Sequence, residues 1–487
     1  MIRLLIGLGA AIALLAPLGA SAADSEELAE LRQMLESMRT DYEQRILDLE
    51  QRLARAEQAQ QDAGESSPTG EAIASQAMPE AVANPGAVSS GNAFNPQISV
   101  ILNGNFYHDD VDGEGAEIVA SALQPSIAAH SHDEHAHGGV SNGFNFSEAE
   151  LAFSAAVDPY FDGSVYLAID GEGNLDLEEA WFQTRSLPWG LKLRGGKFFS
   201  DFGYINNQHP HQWDFTDQNL AYLNLLGDHG LQDTGIQLTW LPDWPVYTLL
   251  GVEVLQGDQE QFGAFVEDGE YRASAGLSDR ASGPRLWTAI VKLAPDLGYE
   301  HALQLGASYA HNRQHQELHA LGLEVIDDPM EYGLEGDADL WGLDLVYKFD
   351  SDAPYGHHDF KLQTEYLRSV KNMNFSGRDS AQVGGSRKIT TDGLYVQGLY
   401  GLAPRWQAAV RYDVLGLTNK VSGAEDMSFG SSDRWTAALT WVPTEFSTIR
   451  LQYEYSDILI EPGVRDAFNA FWLQILMSMG THGAHRF

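Results

Sequence analysis

The chain has 487 residues, no cysteine and a formal net charge of −40 at pH 7. It therefore has no disulfide framework and no cysteine metal site. The charge argues against nucleic acid as a partner, because phosphate binding needs a basic face, and favours cations near the surface.

Residues 1–22 read as a secretory signal. Arg3 gives the positive start, Leu4 to Leu15 the apolar core, and Ala20-Ser21-Ala22 the small-residue cleavage site. Residues 24–60 then carry a heptad-like seam of Leu28, Leu31, Leu35, Met38 and Tyr42, resumed after a stutter by Ile46, Leu49, Leu53 and Ala56. This predicts a periplasmic coiled coil, with a single amphipathic helix lying on a barrel mouth as the alternative. Residues 61–96 are rich in Ala, Ser, Gly, Pro and Glu without an apolar period, which predicts a flexible linker.

From Gln97 onward, stretches of roughly ten residues alternate apolar and polar side chains. Trp406, Ala408, Val410, Tyr412 and Val414 point one way, and Gln407, Ala409, Arg411 and Asp413 the other. Ile449, Leu451, Tyr453 and Tyr455 alternate likewise with Arg450, Gln452, Glu454 and Ser456. An apolar face against lipid and a charged face against water predicts an all-β fold, a transmembrane antiparallel β-barrel over residues 97–487. The candidate strands are 97–107, 146–157, 161–170, 176–186, 191–199, 231–241, 245–256, 285–294, 301–312, 339–350, 357–371, 388–401, 405–416, 433–442, 446–457 and 468–479, about 16 in all. Short Pro-marked turns such as Leu187-Pro188-Trp189-Gly190 alternate with long loops at 108–145, 200–230, 257–284, 313–338, 372–387 and 417–432. Short turns face the periplasm in such barrels, which places both termini there. Trp189, Trp240, Trp244, Trp406 and Trp441 fall at the short-turn ends, and Trp287, Trp341 and Trp435 at the other ends, as two interfacial belts require.

Histidine concentrates in the long loops. His130, His132, Asp133, Glu134, His135 and His137 form one dense tract, and His209, His211 and His229 lie in the loop after the fifth strand. Imidazole and carboxylate are ligands for zinc, copper or nickel, so both groups are candidate metal-capture sites. His311, His315 and His319, spaced by four, would share one face if that loop were helical, though they directly follow a strand. The run from Asp170 to Glu179 lacks the glycine an EF-hand needs at its sixth place, where Leu175 stands. Predicted inward charges are Lys192, Arg194, Lys361, Glu365, Arg411, Asp413, Arg450 and Glu454, which would line a pore and set its selectivity. No catalytic signature is present, and the chain reads as a channel rather than an enzyme.

The stretch Leu177 to Arg185 followed by Leu191 to Gly203, with its Gly196-Lys197-Phe198 and Phe202-Gly203, resembles phosphate-selective porins. That resemblance implies a porin of sixteen strands, often a homotrimer, with a loop folded into the pore. Ser200-Asp201 depart from the Lys and Pro common there. The continuation Asn206 to Phe215, with the closing Thr481 to Phe487, resembles plugless outer-membrane proteins described as zinc-regulated or TonB-dependent-receptor-like.

The combined expectation is a porin in the outer membrane of a Gram-negative bacterium, in contact with lipid and assembled as a homotrimer through barrel and coiled coil. It would need no cofactor and would take zinc or another divalent cation as ligand and substrate. The alternatives are a general or anion-selective porin and a structural protein tethering the envelope.

Overall fold

The computed structural model describes residues 96–122, 140–259, 261–320, 331–376, 385–423 and 426–480. The expected signal, coiled coil and linker, the tract from His130 to His137 and the closing residues from Thr481 lie outside them. Sixteen long strands form one sheet: β1 Gln97–Asp109, β2 Gly143–Ala156, β3 Phe161–Asp170, β4 Leu175–Thr184, β5 Leu191–Phe199, β6 Gln232–Trp240, β7 Tyr247–Leu255, β8 Leu286–Ala294, β9 His301–Ala320, β10 Glu331–Phe349, β11 Phe360–Ser376, β12 Ser386–Ala403, β13 Trp406–Gly423, β14 Ser432–Thr444, β15 Ser447–Glu461 and β16 Val464–Gly480. A two-residue strand, Met427–Ser428, pairs with the edge of β13. Every neighbour is antiparallel, and β1 pairs with both β2 and β16, in register from Ser99↔Gly480 to Asp109↔Ala470. The sheet is therefore a closed barrel with no free edge, which is what lipid demands of a β structure.

Burial inverts the pattern of a soluble protein. Val252, Leu343, Val410, Tyr453 and Met477 stand exposed on the outer face, whereas Gln237, Glu253, Gln363, Glu365, Arg411, Gln452 and Glu454 are buried on the inner one. Aromatic side chains mark two rows outside the wall. Trp240 meets Trp244 and Trp406 stacks on Trp441 at the short-turn end; Trp287, Tyr309 and Trp341 interlock, and Tyr412 packs on Trp435, toward the long-loop end.

The predicted strands of the second half stop short of the observed ones. β9 runs to Ala320 and β10 starts at Glu331, so the expected loop 313–338 is mostly sheet. β11 and β13 likewise extend to Ser376 and Gly423. Apolar alternation ends where the strands leave the lipid band, but the ladder of backbone hydrogen bonds continues through polar residues. The helical loop in which His311, His315 and His319 would share a face is not formed. All three lie on β9, and a bulge opposite Gly336/Ala338 separates the first two. His311 faces outward beside Trp287, while His315 is buried against Glu317.

The connection between β5 and β6 enters the barrel. It ends in helix α2, Leu220–Leu226, after α1, Gly115–Ala120, in the preceding long loop; a third short helix, α3, spans Gly269–Ser274. Asn219 caps α2 by accepting the Tyr222 N–H at 3.0 Å. Leu220, Ala221, Tyr222, Leu225 and Leu226 are buried in one core with Phe198, Phe202, Leu231, Leu340, Leu367 and Tyr395. The wall makes room at Gly393 of β12, where a Cβ would stand 2.7 Å from that of Ala221. Gly203, at φ +62°, turns the chain against Tyr222 and Glu365 with no space for a side chain.

Candidate functional site

The inward connection, residues 200–231, is fastened to the wall around much of the circumference. On β7, Glu253 accepts the Ser200 hydroxyl at 2.5 Å and the Asp201 N–H at 3.1 Å. On β9, the Ser308 hydroxyl accepts the Gly203 N–H at 3.1 Å. On β11, Glu365 accepts the Tyr204 N–H at 2.7 Å, the Ile205 N–H at 3.1 Å and the Tyr222 hydroxyl at 2.8 Å, with Tyr395 of β12 adding a fourth donor at 2.5 Å. Lys361 and Gln397 both reach Asp214 at 2.7 Å. Arg411 and Arg434 each meet Asp217 at 2.7 Å, and Asp413 bridges the same two guanidiniums at 3.0 Å. Burial alone would raise the Asp217 carboxyl, but Arg411 and Arg434 overcome it and hold it below the usual carboxylate range. Arg450 donates to the Trp213 carbonyl at 2.9 Å, and Gln452 donates to Asp217 and Glu454 at 2.7 and 2.5 Å.

The opposite side of the loop meets β2 and β4 through a second constellation. His209 Nδ1 lies 3.1 Å from Glu150 Oε2 and 3.2 Å from Glu178 Oε2, and its Nε2 lies 2.9 Å from Glu179 Oε1. His211 Nδ1 is 3.2 Å from the same Glu150 oxygen. Both Glu178 and Glu179 reach inward because of a β-bulge: Tyr166 pairs with Glu179 and Leu167 with Leu177, leaving Glu178 as the extra residue. Burial by itself would push the His209 imidazole down, but the three glutamates hold it well above its ordinary value. Beside this cluster, toward the long-loop end, opens a cleft of about 370 Å³ whose lining includes Glu148, Asp170, Glu172, Asp176, Asp228 and His229.

The eight residues predicted to line a pore all lie on the inner face, but they differ in what they do there. Glu365, Arg411, Asp413, Arg450 and Glu454 are covered by the loop and bound into its anchors. Lys361 is spent on Asp214. Arg194 lies over the Trp181 ring at 5.0 Å and donates to Gln183 at 3.2 Å. Lys192 stays exposed near the short-turn end of β5. The structure brings His209 and His211 together and leaves His229 in the cleft. Sequence reasoning missed Glu150 and Arg434. Glu150 was legible only as one of two acidic residues, Glu148 and Glu150, alternating with Ala149 and Leu151. The bulge that presents Glu178 had no legible signal.

A closed sixteen-stranded barrel with an apolar outer face, two aromatic rows and a loop across its lumen defines a porin, a channel rather than an enzyme, of the Gram-negative outer membrane. Residues 170–458, more than half of the chain, match phosphate-selective porin O and P. The chain belongs to that family. A protein of Aquifex aeolicus (strain VF5), described only as uncharacterized, is 33% identical over 404 residues, 82% of this chain and 81% of its own length. Among solved structures, the outer membrane channel DcaP of Acinetobacter baumannii is 12% identical, with a TM-score of 0.47, over 79% of this chain and 97% of its own. An anion-selective porin from Comamonas acidovorans is 10% identical, with a TM-score of 0.47, over 79% and 99%.

Proposed function

We propose that this porin admits divalent cations, zinc foremost, from its long-loop face. The observation that carries the reading is the acidic cleft of Glu148, Asp170, Glu172, Asp176, Asp228 and His229 beside the loop that crosses the lumen. Clefts lined by one sign of charge raise the local concentration of counter-ions. The His130, His132, Asp133, Glu134, His135 and His137 tract belongs to another long loop and would add ion-capturing groups. In this reading both termini are periplasmic, the long loops face outward, and three copies assemble as a homotrimer. The test is the sign of the zero-current potential of single channels in asymmetric KCl, together with zinc uptake at limiting zinc. Cation preference and reduced uptake after His130, His132, His135 and His137 are replaced by alanine are expected. Anion preference with unchanged uptake would refute the reading.

A second reading, an anion-preferring channel, is favoured by the other end of the lumen. Lys192, Lys292, Lys348, Lys361 and Arg450 all fall within a few residues of the short-turn ends of their strands. Lys192 is exposed, and Arg450 is held by Thr440, Gln474 and a carbonyl rather than by a carboxylate. The same zero-current measurement decides between the two.

A further inference from the structure

We infer that Glu150, Glu178 and His209 form a resident site for a divalent transition ion of the zinc class, tying the lumen loop to β2 and β4. The inference does not depend on which ions the channel passes.

Three observations carry it. The first is donor geometry. Oε2 of Glu150 and Oε2 of Glu178 stand 3.1 and 3.2 Å from His209 Nδ1, and His211 Nδ1 stands 3.2 Å from Glu150. Ligands at about 2.1 Å from one ion are separated by roughly 3 to 3.5 Å, so these spacings are those of neighbouring ligands. Two carboxylate oxygens and an imidazole nitrogen, all within 4.8 Å of one another, are a three-ligand donor set suited to zinc, with His211 next to it on Glu150.

The second is orientation. His209 turns Nδ1 to the shared space and Nε2 to Glu179 at 2.9 Å. Glu179 is itself fixed by the Trp181 indole N–H at 3.1 Å and the Phe199 N–H at 3.3 Å. A carboxylate behind a histidine, itself held in place, sets the tautomer and ring angle of a metal-binding imidazole.

The third is unmet bonding and charge. Glu150 is 1% exposed, and its Oε2 is met only by the His209 and His211 imidazoles at 3.1 and 3.2 Å, without a hydrogen bond of good geometry to either. Three buried carboxylates face two imidazoles, and among the described residues no lysine or arginine pairs with Glu150, Glu178 or Glu179. The loop's other acidic anchors, Asp214 and Asp217, each have Lys361 or arginines. Three buried carboxylates countered only by imidazoles remain costly, and a divalent ion supplies the charge still missing.

The test uses the full-length protein extracted from outer membranes and stripped with EDTA. His130, His132, His135 and His137 are replaced by alanine so that the histidine tract does not contribute. Equilibrium dialysis with Zn²⁺ is expected to give one ion per chain, and Co²⁺ in its place the visible absorption of a low-coordinate site. Adding Glu150→Gln and His209→Gln is expected to weaken Zn²⁺ binding by at least about 100-fold. Should that pair fail to reach the folded barrel, judged by heat-modifiable gel mobility, Glu178→Gln alone is compared and should also bind more weakly. No Zn²⁺ uptake by the tract-free protein, or uptake untouched by the substitutions, would overturn the site. Zero-current potentials in KCl contain no transition metal, so the channel reading stands or falls separately.

Discussion

Glu365 is the anchor whose removal is most informative, because its two oxygens divide the work. Oε2 accepts from the Tyr204 N–H and the Tyr222 hydroxyl, and Oε1 from the Ile205 N–H and the Tyr395 hydroxyl. In Glu365→Gln one oxygen becomes an amide nitrogen, which cannot accept. Whichever it is, one backbone N–H of the loop loses its partner, and both belong to buried residues. A hydroxyl can rotate to a new acceptor; a backbone N–H cannot. An orphaned buried donor costs about 1–3 kcal/mol, and the remaining bonds lose their charge assistance, so loop docking should weaken by roughly 3 kcal/mol. At 1.4 kcal/mol per tenfold, the detached population rises about 100-fold. The barrel should persist, since its ladder is untouched. The assay is single-channel recording in planar bilayers, with heat-modifiable gel mobility as the folding control. Larger conductance and stronger current noise than wild type are expected. A folded variant with wild-type conductance and noise would refute the reasoning that docking of this loop narrows the passage.

Exchanging the charges at Asp214 and Lys361, which meet at 2.7 Å, tests the same clamp pairwise. Asp214→Lys and Lys361→Asp should each raise current noise, and the double exchange should bring it back toward wild type; additive effects would show that the pair is not coupled. Gly393→Val should force a methyl group against Ala221, whose Cβ leaves only 2.7 Å, and displace α2 at a cost of about 1–3 kcal/mol. Faster protease cleavage within residues 200–231 is the expected sign, and an unchanged digestion pattern would argue against the tight seat. Trp435→Ala, removing a ring 52% exposed on the outer wall, should leave conductance alone but slow insertion into lipid. A change in ion selectivity there would contradict its outward placement.

What was legible in the sequence follows from where the physics is local. Period-two alternation needs only neighbours in the chain, so segments such as 161–170 and 191–199 match β3 and β5 to the residue. The polar extensions of β9, β10, β11 and β13 were hidden because beyond the lipid band only the backbone ladder marks them. The inward face of Glu365, Arg411, Asp413, Arg450 and Glu454 was legible for the same local reason. Their employment was not. Whether an inward charge meets water or the loop depends on contacts such as Arg411 with Asp217, 194 residues apart in the chain. His209 was visible as a histidine beside a proline, but its three glutamates come from two strands and a bulge that no spacing announces.

That difference bears on selectivity. A charge held in a tight pair contributes little field beyond it, because Arg411, Arg434, Asp217 and Asp413 sum to zero within a few ångströms of one another. Among the lumen charges chosen from sequence as selectivity groups, Lys361, Arg411 and Asp413 are cancelled in this way, and the field along the passage is set by those left over. At the long-loop end the remainder is acidic, with Asp170, Glu172 and Asp228 on the lining of the cleft. At the short-turn end it is basic, with Lys192 exposed and Arg450 lacking a carboxylate partner. An ion crossing this channel meets attraction at one mouth and repulsion at the other, whichever its sign. Neutralising Lys192 and Arg450 together should thus move the zero-current potential toward cations, whereas neutralising the paired Arg411 and Asp217 together should move it little.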